Sequence, residues 1–404
     1  VITSEETLPT ADANGDGYQD IGWHVEIDPA TASIMTYGSS KKEKLWKMGR
    51  MSHENVCVHN DMKTAYYGND ENPGFVFKYV ADNAQDLSEG SLYVLKLDGP
   101  LDNVTTGQWI GIPNTTPADC NNAKTYAAAV GGTNFFNVED VEIGPHDGKI
   151  YFTSKSSSRV YRFQDNGTTT GVSDFEVFVG NTVEVYNITT ANGIVPEQWR
   201  DGMDNLCFDN EGNLYCIQDG GRNHIYMVPP CHTQTNPAVK LFAVTPAGCE
   251  PTGMTFSPDN RFMFVSMQHP DGSNATVQTD ASGAQVKFDK ESCIVIARKE
   301  VMGPDAVKPT VPTNIPQVAA KLSNLEVYPN PTSGLLNIQL DADKNANAIV
   351  HVYDMKGSLV RVVSKTLQAG KNIVTLDLNN LPEGVYNANV TANGKTYSAK
   401  VIKK

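Results

Sequence analysis

Four segments of this 404-residue chain repeat one pattern, and few folds are compatible with such a repeat. Each starts with a small or polar pair, continues with apolar residues at alternate positions and ends in a turn, as short β-strands do. A second strand-like run follows each segment. The segments are His53–Asn60, Val138–Pro145, Met203–Asn210 and Pro251–Pro258. Antiparallel units with almost no amphipathic helix predict an all-β chain made of β-propeller blades. Their uneven spacing indicates long inserted loops, such as residues 100–122.

The alignment of the repeats places acidic residues at one equivalent position. That position holds Glu54, Glu139, Asp204 and, in the fourth repeat, Thr252. Because the first strand of each propeller blade lines the central channel, we expect these side chains to converge on the axis. Three converging carboxylates repel one another unless protons or cations neutralise them, and hard oxygen ligands suit calcium, or iron. The alternative is that each acid caps a turn by accepting hydrogen bonds from backbone amides, and the sequence leaves both possibilities open.

Two further groups of acids are candidates for metal binding. Asp70 and Asp219 follow the second strand of their repeats, so the same reasoning places them near one rim of the propeller. The segment Asp12-Ala-Asn-Gly-Asp-Gly-Tyr-Gln-Asp20 resembles the first half of a calcium loop. Its twelfth position is Trp23, where such a loop has a bidentate Glu. An Asp/Gly-rich turn without metal explains this segment equally well.

Charge and proline content divide the chain into two parts. Residues 322–404 contain 9 Lys or Arg and 6 Asp or Glu, whereas the preceding residues contain 23 basic and 40 acidic side chains. Four prolines between Gly303 and Pro316 favour an extended linker at this transition. We therefore expect a propeller region at 1–300, a proline-rich linker at 301–321 and a separate domain at 322–404. The net charge of −14 argues against nucleic-acid binding, and no apolar run approaches the ~20 residues of a transmembrane segment.

The seven cysteines are too few to scaffold a chain of this length, and no C-x-x-C motif supports a zinc site. Cys231 and Cys249 flank a loop and are able to form a disulfide if the protein is exported. Buried free thiols are the alternative, and the sequence does not distinguish between them.

Several segments share their residues and their order with a known family over roughly residues 20 to 300. They are Gly22–Pro29, Met48–Glu54, Tyr67–Glu71, Gly90–Val94, Val138–Glu142 and Met267–Pro270. Together they resemble the PhoX family of alkaline phosphatases. The resemblance implies a six-bladed propeller that hydrolyses phosphomonoesters on a calcium and iron cluster at the mouth of its channel. It implies that Glu54, Asp70 and Glu139 hold metal, and the repeat alignment adds Asp204.

Two features depart from this family. Its members have a further segment before the Gly-Trp motif, which supplies more blades and a cysteine ligand, whereas only residues 1–21 precede Gly22 here. With about four recognisable blades of six, we expect an incomplete, N-terminally truncated propeller. Members also carry Arg two residues before the Glu139 position, where it is able to clamp phosphate. Here that residue is Asn137, which donates a hydrogen bond but carries no charge.

The C-terminal part has a resemblance of its own. The segments Val327–Gly334, Leu336–Ile338, Val352–Gly357, Leu381–Tyr386 and Lys400–Lys404 resemble a type IX secretion C-terminal sorting domain. Short alternating strands separated by Asn-Pro, Lys-Gly and Glu-Gly turns predict a small β-sandwich here. The resemblance implies the type IX secretion machinery as a partner. It also implies transport across the outer membrane of a Gram-negative bacterium, followed by release or surface attachment.

These observations favour a secreted metal-dependent phosphomonoesterase that acts on a phosphate ester. Metal ions on Glu54, Asp70, Glu139 and Asp204 would polarise the phosphoryl oxygen and activate a nucleophile. Two alternatives remain. The segment Asp204–Tyr215 also resembles gluconolactonase-type propellers, which implies a calcium-dependent lactonase or esterase. The third reading is a non-catalytic surface protein that binds a ligand or holds calcium for rigidity.

Overall fold

The computed structural model describes residues 1–37, 40–41, 44–180, 185–199, 202–219, 223–280, 283–297, 322–342, 345–354, 359–392 and 395–404. The chain divides into two compact units, Val1–Val307 and Lys308–Lys404. The predicted linker at 301–321 lies outside the described residues. Each unit has a hydrophobic core of its own.

The first unit opens with short strands that precede the repeats. They are β1 (Ile2–Ser4), β2 (His24–Asp28), β3 (Ser33–Ile34), β4 (Thr36–Tyr37) and β5 (Ser40–Lys41). Strands β1, β2 and β3 form one antiparallel sheet, and β4 pairs with β5. A single 3₁₀ turn at Trp46–Met48 leads into the first repeat.

The first and second repeats each form an antiparallel blade of four strands. The first blade contains β6 (His53–Val58), β7 (Thr64–Asn69), β8 (Val76–Asn83) and β9 (Asp86–Leu97), extended by β10 (Gly107–Ile112). The second blade contains β11 (Val141–Ile143), β12 (Ile150–Ser154), β13 (Arg159–Asp165) and β14 (Val172–Val179). Strand β10 pairs with β9 along its length and meets β14 at Gly107 and Val172, so the two blades share one nine-stranded sheet.

The segment predicted as an inserted loop at 100–122 contains regular structure. Besides β10 it holds helix α1 (Pro117–Asn121), which is followed at once by α2 (Ala123–Ala129). Thr116 and Asp119 form a reciprocal capping box at the start of α1, with Pro117 in the first turn. The helices bury Cys120, Ala123 and Ala127.

The third and fourth repeats form two further blades. The third contains β17 (Met203–Phe208), β18 (Leu214–Gln218), β19 (His224–Val228) and β20 (Lys240–Val244). The hairpin of β15 (Val185–Thr190) and β16 (Gly193–Gln198) extends this sheet outward. The fourth blade contains β21 (Glu250–Phe256), β22 (Phe262–Gln268) and β25 (Ser292–Ala297), with a hairpin of β23 (Gln278–Thr279) and β24 (Gln285–Val286) between β22 and β25.

The blades pack face to face through apolar side chains that alternate along the strands. Phe152 and Tyr161 of the second blade lie in one core with Tyr66 of the first. The core between the third and fourth blades contains Ile225 and Val265. Successive blades therefore stabilise each other by excluding water from both sheet faces.

The second unit consists of two antiparallel sheets. One has β26 (Leu322–Tyr328), β27 (Leu335–Ala342) and β30 (Gly370–Asp377); the other has β28 (Ala346–Tyr353), β29 (Leu359–Leu367), β31 (Gly384–Ala392) and β32 (Lys395–Lys403). Strand β27 alternates buried and partly buried residues, as expected for a sheet with one face in a core. Side chains of both sheets, among them Ile338 and Val350, share that core. The predicted fold class is confirmed: the chain is all-β, with an incomplete four-bladed propeller region and a C-terminal β-sandwich.

Candidate metal centre at the channel mouth

A β-bulge in the innermost strand of the first and third blades positions two of the predicted acids. In β6 the pairing shifts between His53 and Val56, so that Glu54 and its successor stand opposite a single residue. In β17 the same shift between Met203 and Leu206 contains Asp204. A bulge adds one residue, leaves it outside the ladder and turns its side chain in a new direction. The equivalent position in the second blade is Glu139, just before β11.

The residue after each acid joins its blade to the next one. Asn55 donates a side-chain hydrogen bond to Asp140 Oδ1 at 2.5 Å. Asp140 Oδ2 accepts from the backbone amide of Leu206 at 2.7 Å. Asn205 accepts from Thr252 Oγ1 at 2.8 Å. These bonds fix the mutual positions of the four inner strands, and therefore those of the acids that precede them.

A second set of equivalent residues lies directly after the second strand of each blade. The backbone amides of Asp70, Lys155 and Asp219 donate to the carbonyls of Ser52, Asn137 and Gly202, at 3.1, 2.9 and 3.0 Å. Each acceptor lies two residues before the acid of its repeat. The ends of β7, β12 and β18 therefore bring these three side chains to the same end of the blades as the first set.

Seven carboxylates gather at this end of the blades, which we call the channel mouth. Single oxygens of Glu6, Glu54 and Asp70 lie within 4.8 Å of one another, and so do those of Asp204, Asp219 and Glu250. We call these the first and second acid groups. Glu139 lies with them, since Lys155 Nζ contacts both Glu139 Oε1 and Asp204 Oδ2. All four acids predicted from the sequence, Glu54, Asp70, Glu139 and Asp204, are thus at one site; that they bind metal remains a prediction.

Among the described residues, Lys155 places a positive charge within this cluster. Its Nζ lies 3.0 Å from Glu139 Oε1, 3.0 Å from Asp219 Oδ2 and 3.4 Å from Asp204 Oδ2. Burial alone would lower the pKa of Lys155, but Glu139 and then Asp204 raise it well above its ordinary value. The lysine is therefore an ammonium ion at any physiological pH.

The carboxylates are held in a state that favours proton or cation binding. Burial, followed by repulsion from Asp204, raises the pKa of Glu139 to about 9, although Lys155 acts in the opposite direction. Burial and then repulsion from Glu6 raise the pKa of Glu54 to about 8. Burial also raises the pKa of Asp204 to about 6. One lysine does not neutralise so many acids.

The donor set fits a hard divalent cation. All the candidate ligands are carboxylate oxygens, which calcium prefers. Glu139 Oε1 is buried and accepts no hydrogen bond from the described residues, although the ammonium of Lys155 lies 3.0 Å away. No backbone amide of a described residue donates to Glu54, Glu139 or Asp204, so the alternative of turn-capping acids finds no support at these positions.

Asn137 lies at the edge of the mouth. Its Nδ2 donates to Asp70 Oδ1 at 2.7 Å, and its Oδ1 accepts from Ser156 Oγ at 2.7 Å. The backbone of Asn137 is in the left-handed region, with φ of 60°, which asparagine tolerates better than most residues. Its amide therefore orients a candidate ligand.

The Asp12–Asp20 segment has the contacts of a turn. Asp12 accepts from the backbone amides of Asp16 and Gly17, and Asp20 accepts from that of Ala13. These are the bonds that the alternative without metal predicts. Of the two possibilities left open for the cysteines, the structure has free thiols: all seven cysteines are free, with Cys231 exposed and Cys249 buried.

Three residues of the mouth were missed from the sequence. Lys155 could have been found by extending the repeat alignment to the ends of the second strands, which read Asn-Asp70, Ser-Lys155 and Gln-Asp219. Glu6 precedes every repeat, and Glu250 lies two residues before the equivalent position of its own repeat. No sequence signal identifies these two.

Several solved structures match the chain, all at low TM-score and low identity. PorZ, a surface component of the type IX secretion system of Porphyromonas gingivalis, has a TM-score of 0.34 at 10% identity; the match covers 96% of this chain and 43% of PorZ. Periplasmic gluconolactonase of Pseudomonas aeruginosa has a TM-score of 0.32 at 13% identity, covering 93% of this chain and 99% of the other. A putative 6-phosphogluconolactonase of Bacteroides uniformis has a TM-score of 0.33 at 11% identity, and the match covers 92% of this chain and 98% of the other. No curated protein matches the chain.

Two families match the chain directly. Residues 326–404 match the secretion system C-terminal sorting domain, which implies a secreted or cell-surface protein. In the described residues, no helix is both long enough and apolar enough to cross a membrane. Residues 6–271, about two thirds of the chain, match alkaline phosphatase PhoX and include all seven acids of the channel mouth. The chain therefore belongs to the PhoX family of alkaline phosphatases.

Proposed function

We propose that this chain is a metal-dependent phosphomonoesterase whose cation is held by the channel-mouth carboxylates Glu54, Asp70, Glu139 and Asp204. The observation that carries the proposal is the convergence of acidic oxygens from three blades around the ammonium of Lys155. Calcium is the cation that best suits an all-carboxylate set, and iron is the second candidate by membership of the family.

A bound cation would polarise the phosphoryl oxygen and supply the positive charge that the transition state requires. The residues of the chain contribute position and charge. Asn137 fixes the orientation of Asp70 through its 2.7 Å hydrogen bond. Asn55 and Asp140 hold the first and second blades in register, so that Glu54 and Glu139 keep their spacing. Rigid placement of this kind lowers the reorganisation required during reaction.

The test compares the wild-type protein with Glu54→Gln/Glu139→Gln. Both proteins are stripped of metal, reloaded with calcium or with calcium plus ferrous iron, and assayed for hydrolysis of p-nitrophenyl phosphate. We expect the double variant to lose at least about 100-fold in kcat/KM, because amides do not replace charged ligands. Glu211→Gln is the control, since Glu211 is exposed in the turn between β17 and β18, at the opposite end of the blade from Asp204.

Other outcomes of the same assay would contradict the proposal. Phosphatase activity that survives the double substitution places the reaction elsewhere. Hydrolysis of a sugar lactone in place of the phosphate ester would make the protein a lactonase, and tight cation binding without turnover of either substrate would make it a non-catalytic binding protein.

We also propose that residues 322–404 direct the chain through the type IX machinery and across the outer membrane of a Gram-negative bacterium. The match of residues 326–404 to a sorting domain supports this. The separate core of this unit supports the proposal further, because a sorting signal that is recognised on its own needs its own folded domain.

A further inference from the structure

Lys155 occupies a position that carries an acid in the neighbouring blades. Its backbone amide makes the same hydrogen bond, to the residue two before the repeat acid, that Asp70 makes in the first blade and Asp219 in the third. The three structurally equivalent positions at the mouth therefore hold Asp in the first blade, Lys in the second and Asp in the third. The second blade therefore places a positive charge where its neighbours place a negative one.

The ammonium group of Lys155 is surrounded by acids of two blades. Glu139 belongs to the second blade, and Asp204 and Asp219 belong to the third; all three have an oxygen within 3.4 Å of Nζ. The side chain is 31% exposed, whereas that of Glu139 is 3% exposed, so the ammonium caps the cluster from the solvent side. This is the arrangement of a cation bound to three carboxylates.

The first acid group has no comparable partner. Among the described residues, no Lys, Arg or His forms an ion pair with Glu6, Glu54 or Asp70. Three like charges within 4.8 Å are unfavourable without a counter-charge. The two halves of the mouth therefore differ: Lys155 compensates part of the negative charge in one half, and the other half requires a proton or an added cation.

We propose that Lys155 is a built-in cation that takes the place of a divalent ion at the second acid group, so that this chain binds its high-affinity divalent cation at Glu6, Glu54 and Asp70 alone. The inference rests on the proposed function in assigning the mouth to cations. It narrows the ligand set of that proposal to Glu54 and Asp70, joined by Glu6, because Glu139 and Asp204 then bind the ammonium of Lys155 instead of the divalent cation.

Steric and electrostatic reasons support this division. Calcium binds carboxylate oxygens at 2.3–2.6 Å and needs several of them at once. With Nζ at 3.4 Å from Asp204 Oδ2 and 3.0 Å from Asp219 Oδ2, a calcium ion that used these two members of the second acid group would lie against the ammonium and be repelled by it. Lys155 would have to leave three favourable contacts before that ion could bind.

The experiment counts the calcium ions bound by the metal-free full chain, using native mass spectrometry and isothermal titration calorimetry. Lys155→Met removes the charge at nearly constant side-chain length, and we expect it to bind one more calcium ion per chain than the wild type. Lys155→Arg keeps the charge and should keep the wild-type number. Lys124→Met is the matched control, because Lys124 pairs with Glu71 outside both acid groups.

A second measurement does not depend on the stability of the Lys155 variants. In the wild-type background, Asp219→Asn/Glu250→Gln should leave the number of high-affinity calcium ions unchanged, whereas Glu54→Gln/Asp70→Asn should remove one. Equal counts for wild type and Lys155→Met, or loss of a calcium ion in Asp219→Asn/Glu250→Gln, would overturn the inference. Phosphatase assays on the same samples test the proposed function separately, because the number of bound calcium ions is measured whether or not the protein is active.

Discussion

At the scale of single residues, the ion pair of Lys78 and Asp165 shows how the chain stabilises a buried carboxylate away from the channel mouth. The two atoms, Nζ and Oδ2, are 2.5 Å apart, and both side chains are less than a tenth exposed. Asp165 also accepts from Tyr66 at 2.5 Å and from the indole of Trp109 at 3.1 Å. Burial acts to raise the pKa of Asp165, but the hydrogen bonds from Lys78 and Tyr66 bring it below its ordinary value. Both oxygens of this carboxylate accept hydrogen bonds, whereas the buried Oε1 of Glu139 accepts none from the described residues.

We expect Asp165→Asn to destabilise the first unit by about 3–5 kcal/mol, because it leaves the ammonium of Lys78 buried without a counter-charge. Asp102→Asn breaks an ion pair with Arg159 in which Asp102 is 66% exposed, and it should cost less than about 1 kcal/mol. Urea unfolding followed by tryptophan fluorescence measures both, since all four tryptophans lie in the first unit. Equal destabilisation by the two substitutions would show that burial does not set the strength of these pairs.

At the scale of elements, a histidine in the loop between β19 and β20 joins the third blade to the second. His232 Nε2 lies 3.1 Å from the carbonyl of Phe178 in β14, and its Nδ1 accepts from the backbone amide of Ala238 at 3.0 Å. The ring must therefore be neutral, with its proton on Nε2. Burial, with a contribution from Arg162, lowers the pKa of His232 below its ordinary value.

Because the pKa of His232 is lowered, the stability that depends on this contact between the two blades decreases in acid. Below pH 6.5 the unfolded chain binds a proton that the folded chain does not, so stability falls as the pH drops from 6.5 toward the folded pKa and is fully present above 6.5. We expect the wild type to lose more stability than His232→Gln between pH 7.5 and pH 5.5, by at most about 1.4 kcal/mol, since glutamine has no such equilibrium. Urea unfolding of both proteins at the two pH values measures this, and an equal loss would mean that His232 does not titrate differently in the two states.

The strands also show how far the sequence could predict the candidate site. The repeat alignment predicted that Glu54, Glu139 and Asp204 come together. This was possible because alternating strands and their turns are local features that the residue pattern itself identifies. It could not predict the bulges that turn Glu54 and Asp204 out of their ladders, since a bulge depends on the register of two strands. The position of Glu250 depends on the approach of the fourth blade to the third, which no local pattern encodes. Likewise, the inserted segment at 100–122 was evident, but the pairing of β10 with two blades was not.

At the scale of the whole molecule, the chain contains two units with separate cores and different charge. The sandwich core, with Leu336, Val352 and Val390, consists only of residues from the second unit. The cores of the propeller region likewise contain only residues from the first. Removal of one unit therefore takes no described side chain from the core of the other, and we expect the proposed phosphatase activity and the proposed export signal to be separable by truncation.

We expect a chain truncated after residue 321 to fold, bind calcium as the full chain does and remain inside a type IX-competent host, because the sorting signal is absent while every channel-mouth residue is present. Immunoblots of medium, surface and periplasmic fractions measure its location, and calcium counts on the purified truncation measure its site. A periplasmic reporter fused to residues 322–404 is the reciprocal control and should reach the surface or the medium.

Export of the truncated chain, or retention of the fusion, would show that the sorting signal is not confined to the C-terminal β-sandwich. Loss of calcium binding on truncation would show that the propeller region needs the second unit to form its mouth, in spite of their separate cores.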